Sequence, residues 1–214
     1  MNLASYIDHT ILKQDARRAD VERICAEARE HHFATVCVNS CWTSLAAELL
    51  AGSGVGVTVV VGFPLGACST AAKAFEARQA VADGATEIDM VVNVGRLKDG
   101  DDAFVTEDIR AVVEAAAPAA VKVILECCLL DHDQIVRACE CSVAAGAAFV
   151  KTSTGFSTGG ATVDDVALMR ATVGERCKVK AAGGIHNRAE AQAMIDAGAD
   201  RLGCSAGIAI VTGA

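Results

Sequence analysis

Two periodicities alternate along the chain. Short β-branched or apolar runs recur at 34–38, 57–61, 87–92, 121–126, 148–151, 178–181 and 201–204, each of strand length. Between them lie Ala-rich segments with helical spacing. In 71–82, for example, Ala72, Phe75, Ala80 and Val81 form the apolar face, and Lys73, Glu76 and Arg78 the polar one. The ends of these segments repeat one device. Gly84, Gly146 and Gly198 each precede the next strand by a residue or two, the place of a left-handed residue closing a helix. Helix starts are marked by Ser69 or Thr70, by Asp131 ahead of Gln134, and by Asn187 ahead of Glu190.

Strands that are nearly continuous in apolar residues and alternate with helices predict a parallel sheet covered by helices. Seven strands are plain, and residues 5–8 supply a short eighth at the front. A closed (β/α)₈ TIM barrel therefore fits better than an open sheet. A doubly wound fold would want a Gly-x-Gly-x-x-Gly turn after an early strand, and there is none. No Ser- or Gly-rich linker interrupts the 214 residues, so one domain is expected over 1–214.

Composition narrows the function. The apolar runs fall short of the ~20 residues a membrane helix needs, and the first residues lack the basic start of a signal peptide. A cytosolic protein with no membrane partner is expected. The net charge of −8 and the lack of Lys/Arg clusters argue against nucleic acid. An anionic substrate would need a site built locally from backbone N–H groups and a few cations. The ten cysteines do not form paired zinc knuckles, and most lie inside apolar patterns, where a reduced thiol packs as a small hydrophobe. No histidine pair has metal-ligand spacing, so neither metal nor cofactor is expected.

Charges inside strands are the anomaly, because an unpaired charge is costly to bury. Asp89, Glu126, Lys151 and Lys180 are placed toward the C-terminal ends of their strands, which is the active-site face of a barrel. Each strand-end lysine taken alone also fits a snorkelling surface side chain. Lys122, Lys178 and Arg201 fall at strand starts, on the opposite face, where ordinary ion pairs are expected; His9 is placed at the mouth. Glycine is the second signal. Gly183-Gly184 and Gly203-Cys204-Ser205 follow the last two strands and lead into helices. Phosphate sites recur at that place in barrels. Arg188 either adds charge there or is solvated.

Taken together and in order, these segments resemble the deoxyribose-phosphate aldolase family along almost the whole chain. The resemblance is carried by Ile7-Asp8-His9-Thr10-Ile11-Leu12, Val36-Cys37-Val38-Asn39, Gly62-Phe63-Pro64-Leu65-Gly66 and the stretch from Glu87 to Gly95. It continues through Lys151-Thr152-Ser153-Thr154-Gly155-Phe156, the stretch from Val179 to Ile185, and Gly203-Cys204-Ser205. The resemblance implies a metal-free class I aldolase in which Lys151 forms a Schiff base. It makes Lys180 the electrostatic neighbour of Lys151 and gives Asp89 a part in proton transfer. Gly183, Gly184, Gly203 and Ser205, with Gly155, would bind phosphate. Ser40, Ala182 and Ala206 depart from the family pattern, and Gly213-Ala214 stand where some members end in Tyr.

The implied reaction cleaves deoxyribose 5-phosphate to glyceraldehyde 3-phosphate and acetaldehyde, as in deoxyribose phosphate catabolism. Repulsion from Lys180, itself stabilised by Asp89 or Glu126, and partial desolvation would together depress the pKa of Lys151. Related barrels imply a homodimer or homotetramer. Two alternatives stay open: a Schiff-base aldolase for another sugar phosphate or keto acid, and a non-catalytic phosphosugar-binding barrel.

Overall fold

The computed structural model describes residues 2–213; Met1 and Ala214, the ends of the expected 1–214 domain, lie outside the described residues. Eight parallel strands close on themselves in sequence order. They are β1 (Ile7–Thr10), β2 (Thr35–Val38), β3 (Gly56–Val61), β4 (Glu87–Val91), β5 (Ala120–Ile124), β6 (Phe149–Lys151), β7 (Lys178–Ala182) and β8 (Arg201–Cys204). Around them run α1 (Arg18–His31), α2 (Thr43–Leu50), α3 (Thr70–Ala82), α4 (Val94–Lys98), α5 (Asp102–Ala116), α6 (His132–Ala144), α7 (Val163–Val173), α8 (Arg188–Asp196) and α9 (Gly207–Thr212). The TIM barrel expected from the alternating periods is the fold.

The helix signals act as read. Ser69, Asp131 and Asn187 each accept a hydrogen bond from a first-turn N–H, and Asp131 closes a capping box with Gln134. Residues 84, 146 and 198 have positive φ, which lets the chain leave each helix and enter the next strand without a Cβ clash.

The strand period divides the barrel into two layers. Ile7, Val36, Val59, Ile88, Met90, Val121, Val123, Val150, Val179 and Leu202 point outward and make the apolar core beneath the helices. The alternate residues point inward, and many are polar: Asp8, Thr35, Thr58, Asp89, Lys122, Lys151 and Lys180 are all buried. The apolar driving force therefore lies outside the sheet, which leaves the interior free for charges.

Two expectations are corrected. The first strand spans Ile7–Thr10 rather than 5–8, because the Asn2 side chain accepts from Ala4 N and winds Leu3–Tyr6 into a 3₁₀ turn. Asp8 thus becomes a mid-strand residue inside the barrel. On α3 the two faces are exchanged at three positions, one of them Ala72, which is exposed. Lys73 is fully buried, donating to Asp108 Oδ2 at 2.6 Å and to the Val91 carbonyl at 2.9 Å, while Phe75 is 64% exposed. Ala77 and Ala80, both buried, define the face that Lys73 shares.

Candidate active site

A cavity of about 910 Å³ opens at the C-terminal end of the barrel. Lys151 forms part of its floor. Its walls include the loop after β1, Thr154–Phe156 after β6, Gly183–His186 after β7 and Gly203–Ser205 at the end of β8. The five expected phosphate residues thus meet on one cavity. The Gly183-Gly184 turn leads to α8, whose start is capped by Asn187, and the turn lines the same cavity as Ser205.

Gly203 has a second, steric reason. A Cβ there would lie 3.0 Å from Lys180 Cε and 3.0 Å from Ala182 Cβ. Only a bare backbone on β8 leaves room for the Lys180 side chain coming across from β7.

Asp89 is the hub beneath the floor. Its Oδ2 accepts from Lys151 Nζ at 2.7 Å and from Lys180 Nζ at 2.8 Å, and its Oδ1 accepts from Lys122 Nζ at 2.8 Å. The pairing register puts Lys151 beside Lys180 and Asp89 beside Lys122. Asp8 adds a second anion, 2.5 Å from Lys180 Nζ. Burial alone would raise the pKa of Asp89, but Lys122, Lys151 and Lys180 hold it well below the usual carboxylate range. Asp8 is treated likewise: Lys180, Lys122 and Arg201 outweigh its burial, so it stays ionised.

The three lysines part company. Burial lowers each, but Asp8 and Asp89 overcome this at Lys180 and drive its pKa upward. At Lys122, Asp89, Asp8 and Glu87 outweigh burial and Lys180, and the net shift is also upward. Lys151 alone falls. Burial is the main cause, Asp89 opposes it, and Lys180 adds to the fall. Both expected causes thus act, with desolvation leading and repulsion assisting.

Other expectations are corrected by geometry. Asp89 and Lys180 stand in the middle of their strands, not at the ends, and this depth is what keeps them dry. Glu126 touches neither lysine. It lies beyond β5 with φ of 60°, and its carboxylate accepts from the backbone N–H and hydroxyl of Thr154, tying down the loop after Lys151. Lys122 is indeed ion-paired, yet its partners include, besides Glu87, the very carboxylate that holds Lys151. Arg188 donates to the carbonyls of Ile210 and Val211, fastening α9 rather than adding charge to the cavity. His9 borders the cavity but turns its Nε2 to Glu27 on α1, 2.6 Å away.

Sequence reasoning missed Asp8, Lys122 and His186 as neighbours of the site. Parity held the signal for Lys122, which shares a face with Ile124 two residues on. Among the described residues, no group of three or more His, Cys, Asp or Glu side chains is arranged to hold a metal ion. No described helix is long and apolar enough to cross a membrane.

Comparison with known proteins gives the family. A protein of Mesoplasma florum named deoxyribose-phosphate aldolase 1 is 59% identical over 213 residues, covering 100% of this chain and 97% of the relative. A Bacillus cereus deoxyribose-phosphate aldolase is 60% identical over 212 residues, covering 99% and 95%. The tetrameric structure of deoxyribose phosphate aldolase from Aeropyrum pernix matches with a TM-score of 0.92 at 33% identity, covering 98% of this chain and 89% of that one. With a family model for DeoC/LacD family aldolases matching residues 2–213, this chain belongs to the DeoC/LacD family of aldolases.

Proposed function

We propose that the chain reversibly cleaves 2-deoxy-D-ribose 5-phosphate to D-glyceraldehyde 3-phosphate and acetaldehyde through a Schiff base on Lys151. One observation carries this reading. Of the three lysines inside the barrel, the one on the cavity floor is the one whose ammonium is destabilised. A lysine whose pKa falls toward neutrality gains the free amine that adds to a carbonyl.

The neutral Nζ of Lys151 adds to the C1 aldehyde of the open-chain sugar, and loss of water leaves an iminium. The C3 hydroxyl passes its proton to the water so released as the C2–C3 bond breaks, and the bonding pair moves toward the iminium nitrogen to form the enamine. Glyceraldehyde 3-phosphate departs. That water returns the proton to the enamine at C2. Hydrolysis of the resulting iminium then frees acetaldehyde and the lysine. Asp89 keeps Lys151 aimed, balances Lys180 and passes protons.

Gly155, Gly183, Gly184, Gly203 and Ser205 hold the phosphate, chiefly through backbone N–H groups and the start of α8. Ala182 and Ala206 offer no hydroxyl there, so Ser205 is the side chain of this group that contributes one. The chemistry draws on the lysine amine and asks for no cofactor. We also read residues 1–214 as one domain working in the cytosol as a homodimer or homotetramer; the tetrameric Aeropyrum pernix relative supports the oligomer.

Borohydride reduction in the presence of acetaldehyde tests the assignment. The expected product carries a single ethyl group on the peptide containing Lys151, with no comparable adduct from pyruvate or dihydroxyacetone phosphate. Lys151→Ala is expected to lose both the adduct and turnover, measured with chelator present by coupling to glyceraldehyde 3-phosphate detection. Wild-type turnover from that variant would overturn the proposal.

A further inference from the structure

The reaction as written leaves the far end of the barrel idle, although it is charged. Glu87 on β4 and Arg201 on β8 both point inward at the N-terminal end, with side chains 16% and 15% exposed. Two chains of ion pairs lead from them to the nucleophile. In the first, Glu87 Oε2 is 2.5 Å from Lys122 Nζ, which donates to Asp89 Oδ1 at 2.8 Å. In the second, Arg201 Nη1 is 2.7 Å from Asp8 Oδ1, and Asp8 Oδ2 is 2.5 Å from Lys180 Nζ, 2.8 Å from Asp89 Oδ2. Both chains end on the carboxylate that touches Lys151, and Glu87 and Arg201 are themselves 3.2 Å apart.

We infer that Glu87 and Arg201 are positioning residues that set the proton affinity of Lys151 from the opposite end of the barrel, Glu87 raising it and Arg201 lowering it. The inference rests on Lys151 being the Schiff-base lysine.

Charge balance gives the direction. The interior holds three carboxylates, Asp8, Glu87 and Asp89, and three cations besides Lys151, namely Lys122, Lys180 and Arg201. A neutral Lys151 leaves this enclosed set balanced, and a protonated one leaves a surplus positive charge where water cannot solvate it. The remaining inward groups do not alter the count. Thr35 on β2 and Thr58 on β3 are neutral hydroxyls linking Asp8 to Glu87. On β2, burial holds the Cys37 thiol up at about 11, so it is uncharged at neutral pH. Phe149 on β6 is apolar, and Lys178 on β7 is exposed to water. Deleting the charge of Glu87 makes a protonated Lys151 costlier still. Deleting that of Arg201 lets a protonated Lys151 take its place in the balance.

The test uses Glu87→Gln, Arg201→Met, the double variant and Arg201→Lys. For each, the rate of borohydride trapping of acetaldehyde on Lys151 and kcat/KM are followed against pH. A unit charge about 10 Å away at an effective dielectric of about 20 moves a pKa by about one unit. The acid limb is therefore expected to fall by about one pH unit in Glu87→Gln and to rise by about one in Arg201→Met. It should return close to wild type in the double variant and stay there in Arg201→Lys. A purely structural role would lower rates without moving the limbs apart, so unmoved midpoints, or midpoints moving the same way, overturn the inference. If Arg201→Met does not fold, the direction of Glu87→Gln decides alone: a fall supports the inference, and no fall overturns it. Failure of wild type to form any adduct on Lys151 would instead overturn the Schiff-base assignment beneath it.

Discussion

Lys180 lies between two carboxylates, 2.5 Å from Asp8 and 2.8 Å from Asp89, and they hold its charge in place far above neutral pH. It is therefore unsuited to nucleophilic attack and suited to act on its neighbour, since a permanent cation beside Lys151 disfavours a second one. Lys180→Leu removes this repulsion and frees Asp89 to serve Lys151 more fully. Both changes raise the pKa of Lys151, and an amine with a higher pKa is free only at higher pH. The acid limb of kcat/KM is thus expected to move upward by roughly one to two units, with kcat at its plateau also reduced because Asp89 loses the Lys180 partner that fixes it at 2.8 Å. A pH–rate profile checks this, and an unmoved limb would remove Lys180 from the account of Lys151 reactivity. Depth makes the same point in another way. Lys180 is completely buried and Lys151 is 3% exposed, so the lysine proposed to react is the one that reaches the cavity.

At the scale of elements, strands and helices were legible because two features agree: a β-branched run of strand length, and a capped Ala-rich helix closed by glycine. The interior of the barrel was legible in part. Parity along β4, β6 and β7 is enough to group Asp89, Lys151 and Lys180. The bonding partner of each was not legible, because partnership depends on the stagger between neighbouring strands, which no single strand encodes. That is why Lys122 was assigned to an ordinary ion pair and Glu126 to the lysines. The α3 helix shows the other limit. In an Ala-rich segment the apolar face is weakly marked, and a buried ion pair hides as a polar position, so Lys73 read as solvated and Phe75 as core. Lys73 bridges α3 to α5 through Asp108, and Asp108 also accepts from Thr70. Removing one partner strands the other charge in a dry site. Lys73→Met is expected to cost about 3–5 kcal/mol, and Lys73→Met with Asp108→Leu to recover most of it, as urea denaturation would show. A cost below about 1 kcal/mol for the single variant would mean that water reaches Asp108.

Across the whole molecule, the sign of charge differs from place to place. The chain carries a net −8, yet its barrel encloses as many cations as anions with Lys151 left neutral. The proposed function accordingly assigns the substrate phosphate to local backbone donors and the reactivity to the enclosed set. The same enclosure ties stability to pH. Asp8 and Asp89 have folded pKa values below that of an unfolded aspartate, about 3.9. Their contribution is therefore complete above the unfolded value and is lost as pH falls through that value toward the folded ones. A carboxylate held about two units low contributes about 2.6 kcal/mol in this way. Lys122 and Lys180, raised rather than lowered, keep their contribution throughout this range and lose it only at alkaline pH. The urea midpoint is therefore expected to hold from neutrality down to about pH 5 and to drop steeply between about pH 4 and pH 2. Asp8→Asn, already deprived of one charge, should start lower and fall less. A wild-type midpoint unchanged at about pH 2.5 would mean that the enclosed carboxylates add nothing to folding, and that their ionisation is kept for the sake of the lysine alone.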